Sequence, residues 1–141
     1  MDIRPLTDAY AVSPQIAPDD LPAVKAAGFT TVICNRPDGE IPPDLHAAVM
    51  AEAAAAAGLG FVINPVVHGA LTQDTVDTQA EVLRRDGEKV LAYCASGNRS
   101  AIVWSLIMAP DLGADGVLAA TRAAGYDHSP FRPQFAALAG G

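Results

Sequence analysis

Residues 89–94 read KVLAYC, a short apolar run that stops at a cysteine. A run of this length without alternating polar positions marks a strand covered on both faces, as in the middle of a parallel sheet. Parallel neighbours are joined only by crossover connections, so such a strand obliges the rest of the chain to supply helices. The order strand, helix, strand, helix, strand, helix predicts an α/β fold with helices on both faces of a mostly parallel sheet.

The remaining elements follow from local chemistry. Residues 3–12 are short extended pieces broken by Pro5. A helix covers 19–27 and stops at Gly28, and TTVIC, 30–34, is a β-branched strand. NRPDGE, 35–40, is a loop, because Arg36 precedes a proline and Asp-Gly is a turn pair. An Ala-rich helix over 43–57 ends at Gly58, and FVINPVV, 61–67, is a strand with a proline near its end. A helix capped by Thr72 or Asp74 runs to about Asp86. Helices over 99–109, 113–124 and 130–138 complete the chain. No repeat or linker interrupts the 141 residues, so a single domain, 1–141, is expected.

Composition removes several classes of function. Half the residues are hydrophobic and 18% are charged, which excludes disorder as the main state. The formal charge is −7 and the basic residues are scattered. Neither nucleic acid nor an anionic membrane face is therefore an expected partner. No apolar stretch approaches the roughly 20 residues of a membrane span. The opening MDIRPLTDAY lacks the apolar run of a signal peptide, so a cytoplasmic protein is expected. Cys34 and Cys94 are too few for a disulfide scaffold or a cysteine zinc site. No His, Cys, Asp and Glu cluster has metal-ligand spacing, so no metal and no cofactor is expected. The oligomeric state is left open.

The chemistry concentrates in VLAYCASGNRSAIVW, 90–104. The buried strand puts Cys94 at the carboxyl edge of the sheet, where open α/β sheets bind ligands. Ala95, Ser96, Gly97 and Asn98 form a short loop whose backbone N–H groups can turn inward as an anion nest. Gly97 permits the backbone angle this requires. The helix starting near Arg99 adds the positive end of its dipole, which favours the thiolate of Cys94. Arg99 offers a planar fork for two oxygens of an oxyanion. Ser100 can hydrogen-bond the thiolate or help the leaving sulfur.

The segment YCASGNRS resembles the cysteine-loop signature of cysteine-dependent phosphatases and rhodaneses. SPQIAPDDL (13–21), AAGFTTVICNRPDGE (26–40), AAAAGLGFVINPV (54–66), YCASGNRSAIVW (93–104) and AAGYDHSP (123–130) are similar, in this order, to the phosphatase-like domain family of beta-lactamase-hydrolase-like proteins. The resemblance implies a three-layer protein-tyrosine-phosphatase-like fold, with a central sheet of about four or five strands. It also implies phosphatase activity on phosphate monoesters, such as phosphotyrosine or small aryl phosphates. Cys94 would be the nucleophile that forms a thiophosphate, and Arg99 would bind the phosphoryl oxygens. The N–H groups of residues 95–100 would line the cradle, and Ser100 would assist breakdown of the intermediate.

Two positions depart from the tyrosine-phosphatase pattern. Tyr93 stands where His usually precedes the cysteine, and four residues rather than five separate Cys94 from Arg99. Four is also the spacing of many rhodaneses, whose loop holds a persulfide, so sulfur transfer is the alternative chemistry. A non-catalytic oxyanion-binding module is a third reading.

The general acid is open. Phosphatases of this type carry an aspartate roughly thirty residues before the nucleophile, which here falls in NPVVHGALTQD, 64–74. His68 in that loop titrates near neutral pH and is the first candidate. Asp38 in RPDGE is the second, and Asp74 reads as a helix cap. Arg36 supplies a second charge to the site or pairs with Glu40. Cys34 ends the strand expected beside that of Cys94, so it is either a buried thiol or a redox partner for Cys94.

Overall fold

The structure is a computed structural model that describes residues 1–67, 69 and 71–140. Five strands form one sheet: β1 (Arg4–Pro5), β2 (Tyr10–Ser13), β3 (Thr31–Cys34), β4 (Gly60–Ile63) and β5 (Val90–Tyr93). Their order is β1-β2-β5-β3-β4, with β1 antiparallel and all other pairings parallel. The predicted α/β fold is therefore present, and β5 is its middle strand. The register sets Tyr93 beside Ser13 on one side and Cys34 on the other.

Alternation along the strands divides the core in two. Tyr10, Val12, Ile33, Val90 and Ala92 face one way and pack against α3 (Gln73–Leu83), α4 (Asn98–Ala123) and α5 (Arg132–Leu138). Ala11, Val32, Cys34, Leu91 and Tyr93 face α1 (Leu21–Ala26) and α2 (Ala47–Ala56). All four residues of β5 are buried, as its composition requires, whereas Ile63 at the end of edge strand β4 is 54% exposed. Trp104 stacks on Tyr10 with ring centroids 6.2 Å apart and fixes the start of α4 on the sheet. Burying a side chain of this size stabilises by roughly 1.5–3 kcal/mol.

Several boundaries differ from the sequence reading or settle its alternatives. The strand expected to run to residue 67 ends at Ile63, because Pro65 has no N–H to continue the ladder. The helix expected from 43 begins at Ala47, after a tight turn over Pro43–Leu45. Its cap is Asp38, whose Oδ1 accepts the Ala47 N–H at 2.8 Å. The cap of α3 is Thr72, whose Oγ1 accepts the Thr75 N–H, and not Asp74. The helices expected over 99–109 and 113–124 are the two limbs of α4. Its backbone leaves helical angles at Gly113 (φ 73°, ψ 168°), three residues after Pro110.

Candidate active site

Cys94 follows β5 directly, with its N–H donating to Ser13 O at 3.4 Å. The chain then turns through Ala95 and Ser96, both exposed, to Gly97, which caps α4. The Gly97 N–H donates to Cys94 Sγ at 3.1 Å, so the sulfur lies inside the turn. Gly97 has φ 90°, and a Cβ there would collide with the Tyr126 hydroxyl. That hydroxyl donates to Ser96 O at 2.8 Å, bracing the loop from the C-terminal segment. Among the described residues, the N–H groups of Ala95, Ser96, Arg99 and Ser100 have no acceptor. With the Gly97 N–H on the sulfur, two unpaired loop amides and the unpaired amides of the first turn of α4 give this turn the donors of an anion cradle.

Arg99 is 5% exposed and turned inward. Its Nη1 donates to Glu40 Oε2 at 2.8 Å and to Val66 O at 2.7 Å, and its Nη2 donates to Glu40 Oε1 at 2.7 Å. A guanidinium has five donors. The two left without a partner among the described residues are Nε–H and one Nη2–H, which form one edge of the fork. The hydrogen bond to Glu40 raises the pKa of Arg99 above its ordinary value, and the Cys94 sulfur adds to this. Arg99 in turn holds the Glu40 carboxyl below the usual carboxylate range. Arg36 reaches the same carboxylate at 3.4 Å and donates to Gln15 Oε1 at 3.3 Å. It therefore joins the site through Glu40.

Ser100 is fully buried, and its hydroxyl donates to Asn35 Oδ1 at 2.8 Å. It belongs to a closed ring of polar groups under the loop. Asn35 Nδ2 donates to Gln79 Oε1 at 3.0 Å, Gln79 Nε2 donates to Tyr10 Oη at 2.6 Å, and Tyr10 Oη donates to Ser100 O at 3.1 Å. Asn64 adds a second amide to Gln79 at 3.3 Å. The ring ties β2, α3, α4 and the loops after β3 and β4 together.

The other predicted residues lie as follows. Asp38 directs its carboxylate at the N-terminus of α2, with Oδ2 3.9 Å from His46 Nδ1. Cys34 is 1% exposed, and its thiol donates to Arg36 O at 3.4 Å. Burial pushes that thiol up, and both cysteines are free. Its cross-strand neighbour is Tyr93, not Cys94. His68 lies outside the described residues.

A cavity of about 380 Å³ opens against the loop. Val66, Val67, Leu71, Ile102 and Phe131 wall it with apolar surface, and Asn98 and Arg99 supply its polar end. Several groups here were not singled out from the sequence. The clamp on Arg99 is Glu40, which the sequence offered only as a partner for Arg36. The amides of Asn35, Asn64 and Gln79 give no local pattern, because their partners are far apart in the chain. Tyr126 and His128 sit in the resembling block GYDHSP, which was the available signal.

Fold and loop together define a phosphatase-like α/β domain of the protein-tyrosine-phosphatase type. Residues 2–111 match the family described as Beta-lactamase hydrolase-like protein, phosphatase-like domain, and the chain belongs to that family. A Beta-lactamase hydrolase-like protein of Xylella fastidiosa (strain Temecula1) is 28% identical over 129 residues, covering 90% of this chain and 30% of its own length. The chain thus spans less than a third of that relative. The crystal structure of a proposed phosphatase from Neisseria meningitidis superposes with a TM-score of 0.84 at 28% identity, covering 98% of this chain and 99% of the other. Tk-PTP in its active form superposes at 0.69 with 21% identity, covering 95% and 92%, and so shares the fold.

Proposed function

We propose that the chain is a cysteine-dependent phosphatase acting on phosphate monoesters. The observation that carries this is the cradle: one sulfur, the unpaired amides of Ala95 and Ser96 in the loop and of Arg99 and Ser100 in the first turn of α4, and the free edge of Arg99. The Cys94 thiolate attacks phosphorus, the ester oxygen leaves with a proton, and water then cleaves the thiophosphate to restore the thiolate. The amides and the Nε edge of Arg99 stabilise charge on the equatorial oxygens. The apolar walls suit an aryl leaving group, including phosphotyrosine. His68 is our candidate acid on the sequence reading alone: it falls about the right distance before Cys94, and a histidine can carry a proton near neutral pH. Two reduced thiols suit the cytoplasm, where we place the protein.

The four-residue loop also supports a second reading, sulfur transfer. There the Cys94 thiolate takes the outer sulfur of thiosulfate, releasing sulfite, and the persulfide passes that sulfur to cyanide as thiocyanate. The two are separated by assaying p-nitrophenyl phosphate hydrolysis beside thiocyanate formation. The phosphatase reading expects hydrolysis that Cys94→Ser abolishes. Hydrolysis surviving that substitution, or thiocyanate as the sole product, overturns it. Vanadate binding without either turnover leaves an oxyanion-binding module.

A further inference from the structure

We propose that the side-chain amide of Asn98 is a substrate-binding donor at the mouth of the cradle, held in its binding orientation by His128. Asn98 lines the cavity beside Arg99. Its Oδ1 is 2.7 Å from His128 Nε2. A carboxamide that accepts through oxygen turns its NH2 to the other side. Among the described residues, that Nδ2 has no acceptor. Two free N–H donors thus sit on a residue that borders the cavity and is next to Arg99 in the chain.

His128 is built to do one thing. It is 2% exposed and lies between Tyr126 and Phe131, with ring centroids at 6.0 and 5.9 Å. Its Nδ1 is buried without a partner. A protonated ring would leave a buried N–H with no acceptor, which favours the neutral form with its hydrogen on Nε2. Burial acts in the same direction on its pKa. The neutral Nε2–H tautomer donates to Asn98 Oδ1 and so fixes which end of the amide faces the cavity. The same short segment braces Ser96 through Tyr126 and walls the cavity with Phe131. It lies beyond residue 111, where the match to the family ends.

The inference rests on the phosphatase reading and names a binding group and a positioning residue for that site. The test measures vanadate binding, and KM and kcat for p-nitrophenyl phosphate, in wild type, Asn98→Ala, His128→Gln, His128→Phe and the double variant Asn98→Ala/His128→Phe. Asn98 is itself only partly buried at the first position of α4, so its alanine variant is the one expected to fold without difficulty. Losing one hydrogen bond to a charged ligand is expected to weaken vanadate binding and raise KM about tenfold, with kcat changed much less. His128→Phe keeps the ring stack and is expected to match Asn98→Ala. His128→Gln, which can still donate to Oδ1, recovers most of the loss. The double variant is no weaker than Asn98→Ala alone. Wild-type protein that binds no vanadate overturns the phosphatase reading and this inference with it. Wild-type binding that Asn98→Ala leaves unchanged, or a His128→Phe loss of equal size in the Asn98→Ala background, overturns this inference alone.

Discussion

Glu40 grips Arg99 by its Nη1–Nη2 end, at 2.8 and 2.7 Å, and leaves the Nε edge to the cradle. The two residues are 59 positions apart, and the pairing spans the loop after β3 and the first turn of α4. An arginine held this way cannot rotate its fork, so its remaining donors keep one direction. Arg36 and the Val66 carbonyl complete the frame.

Glu40→Gln is expected to remove the charge-assisted part of this grip. Arg99 is almost wholly buried and would lose its counter-ion, so a stability loss of about 1.5–3 kcal/mol is expected, measured by urea unfolding. Vanadate affinity is expected to fall with it. Arg36→Ala, which removes only contacts of 3.3–3.4 Å at the rim, should cost under about 1 kcal/mol. Glu40 also sets an acid limb. Its carboxyl titrates below its ordinary 4.5 in the fold, so its stabilisation is present above that value and lost as pH falls through the folded one. The limb should flatten in Glu40→Gln.

Gly97→Ala tests the loop from the backbone. The positive φ strains any side chain by about 1–3 kcal/mol, and the new methyl would also strike the Tyr126 hydroxyl. A lowered melting temperature together with lost vanadate binding is expected. Adding Tyr126→Phe should recover part of the stability but not all, because φ 90° is untouched. Full recovery would show that the angle carries no strain.

The sheet could be read from the sequence because its signal is local. KVLAYC is apolar at consecutive positions only where both faces are covered, and β5 is the middle strand, buried against helices on both faces. Cys94 and Arg99 were legible for a related reason: strand, tight glycine and helix are adjacent in the chain. What surrounds them was not. Glu40, Asn35 and Gln79 reach the loop through tertiary contacts between residues dozens of positions apart. Asp38 was plausible at the sheet edge by position, yet an uncapped helix four residues past a proline pair competes for its carboxylate.

Gln79→Leu is expected to open the buried ring. It leaves the Asn35 and Asn64 amides each short of an acceptor, and Tyr10 Oη without its donor. Unsatisfied buried N–H groups cost about 1–3 kcal/mol each, so a loss of roughly 2–4 kcal/mol is expected in chemical denaturation. Because Tyr10 and Asn35 fix Ser100 at the start of α4, vanadate binding should weaken too. A variant as stable as wild type would show that the ring repacks around leucine.

The pH dependence near neutrality is assigned to His128. Burial holds its ring below the ordinary value of 6.5, while the neighbouring Asp127 pulls the other way. Asp127 itself accepts from the Ser129 hydroxyl and N–H. Beyond the histidine ring, Arg4 lies 5.2 Å from the Tyr126 ring centroid and is itself paired with Asp2 at 2.8 Å. Between the lowered folded value and 6.5 the unfolded chain binds a proton that the folded chain refuses. Stability is therefore complete above pH 6.5 and falls as pH drops through that window. Urea midpoints taken from pH 8 to pH 5 should decline below 6.5 in wild type and hold level over the same range in His128→Phe. A decline of equal slope in that variant would move the titration to another group.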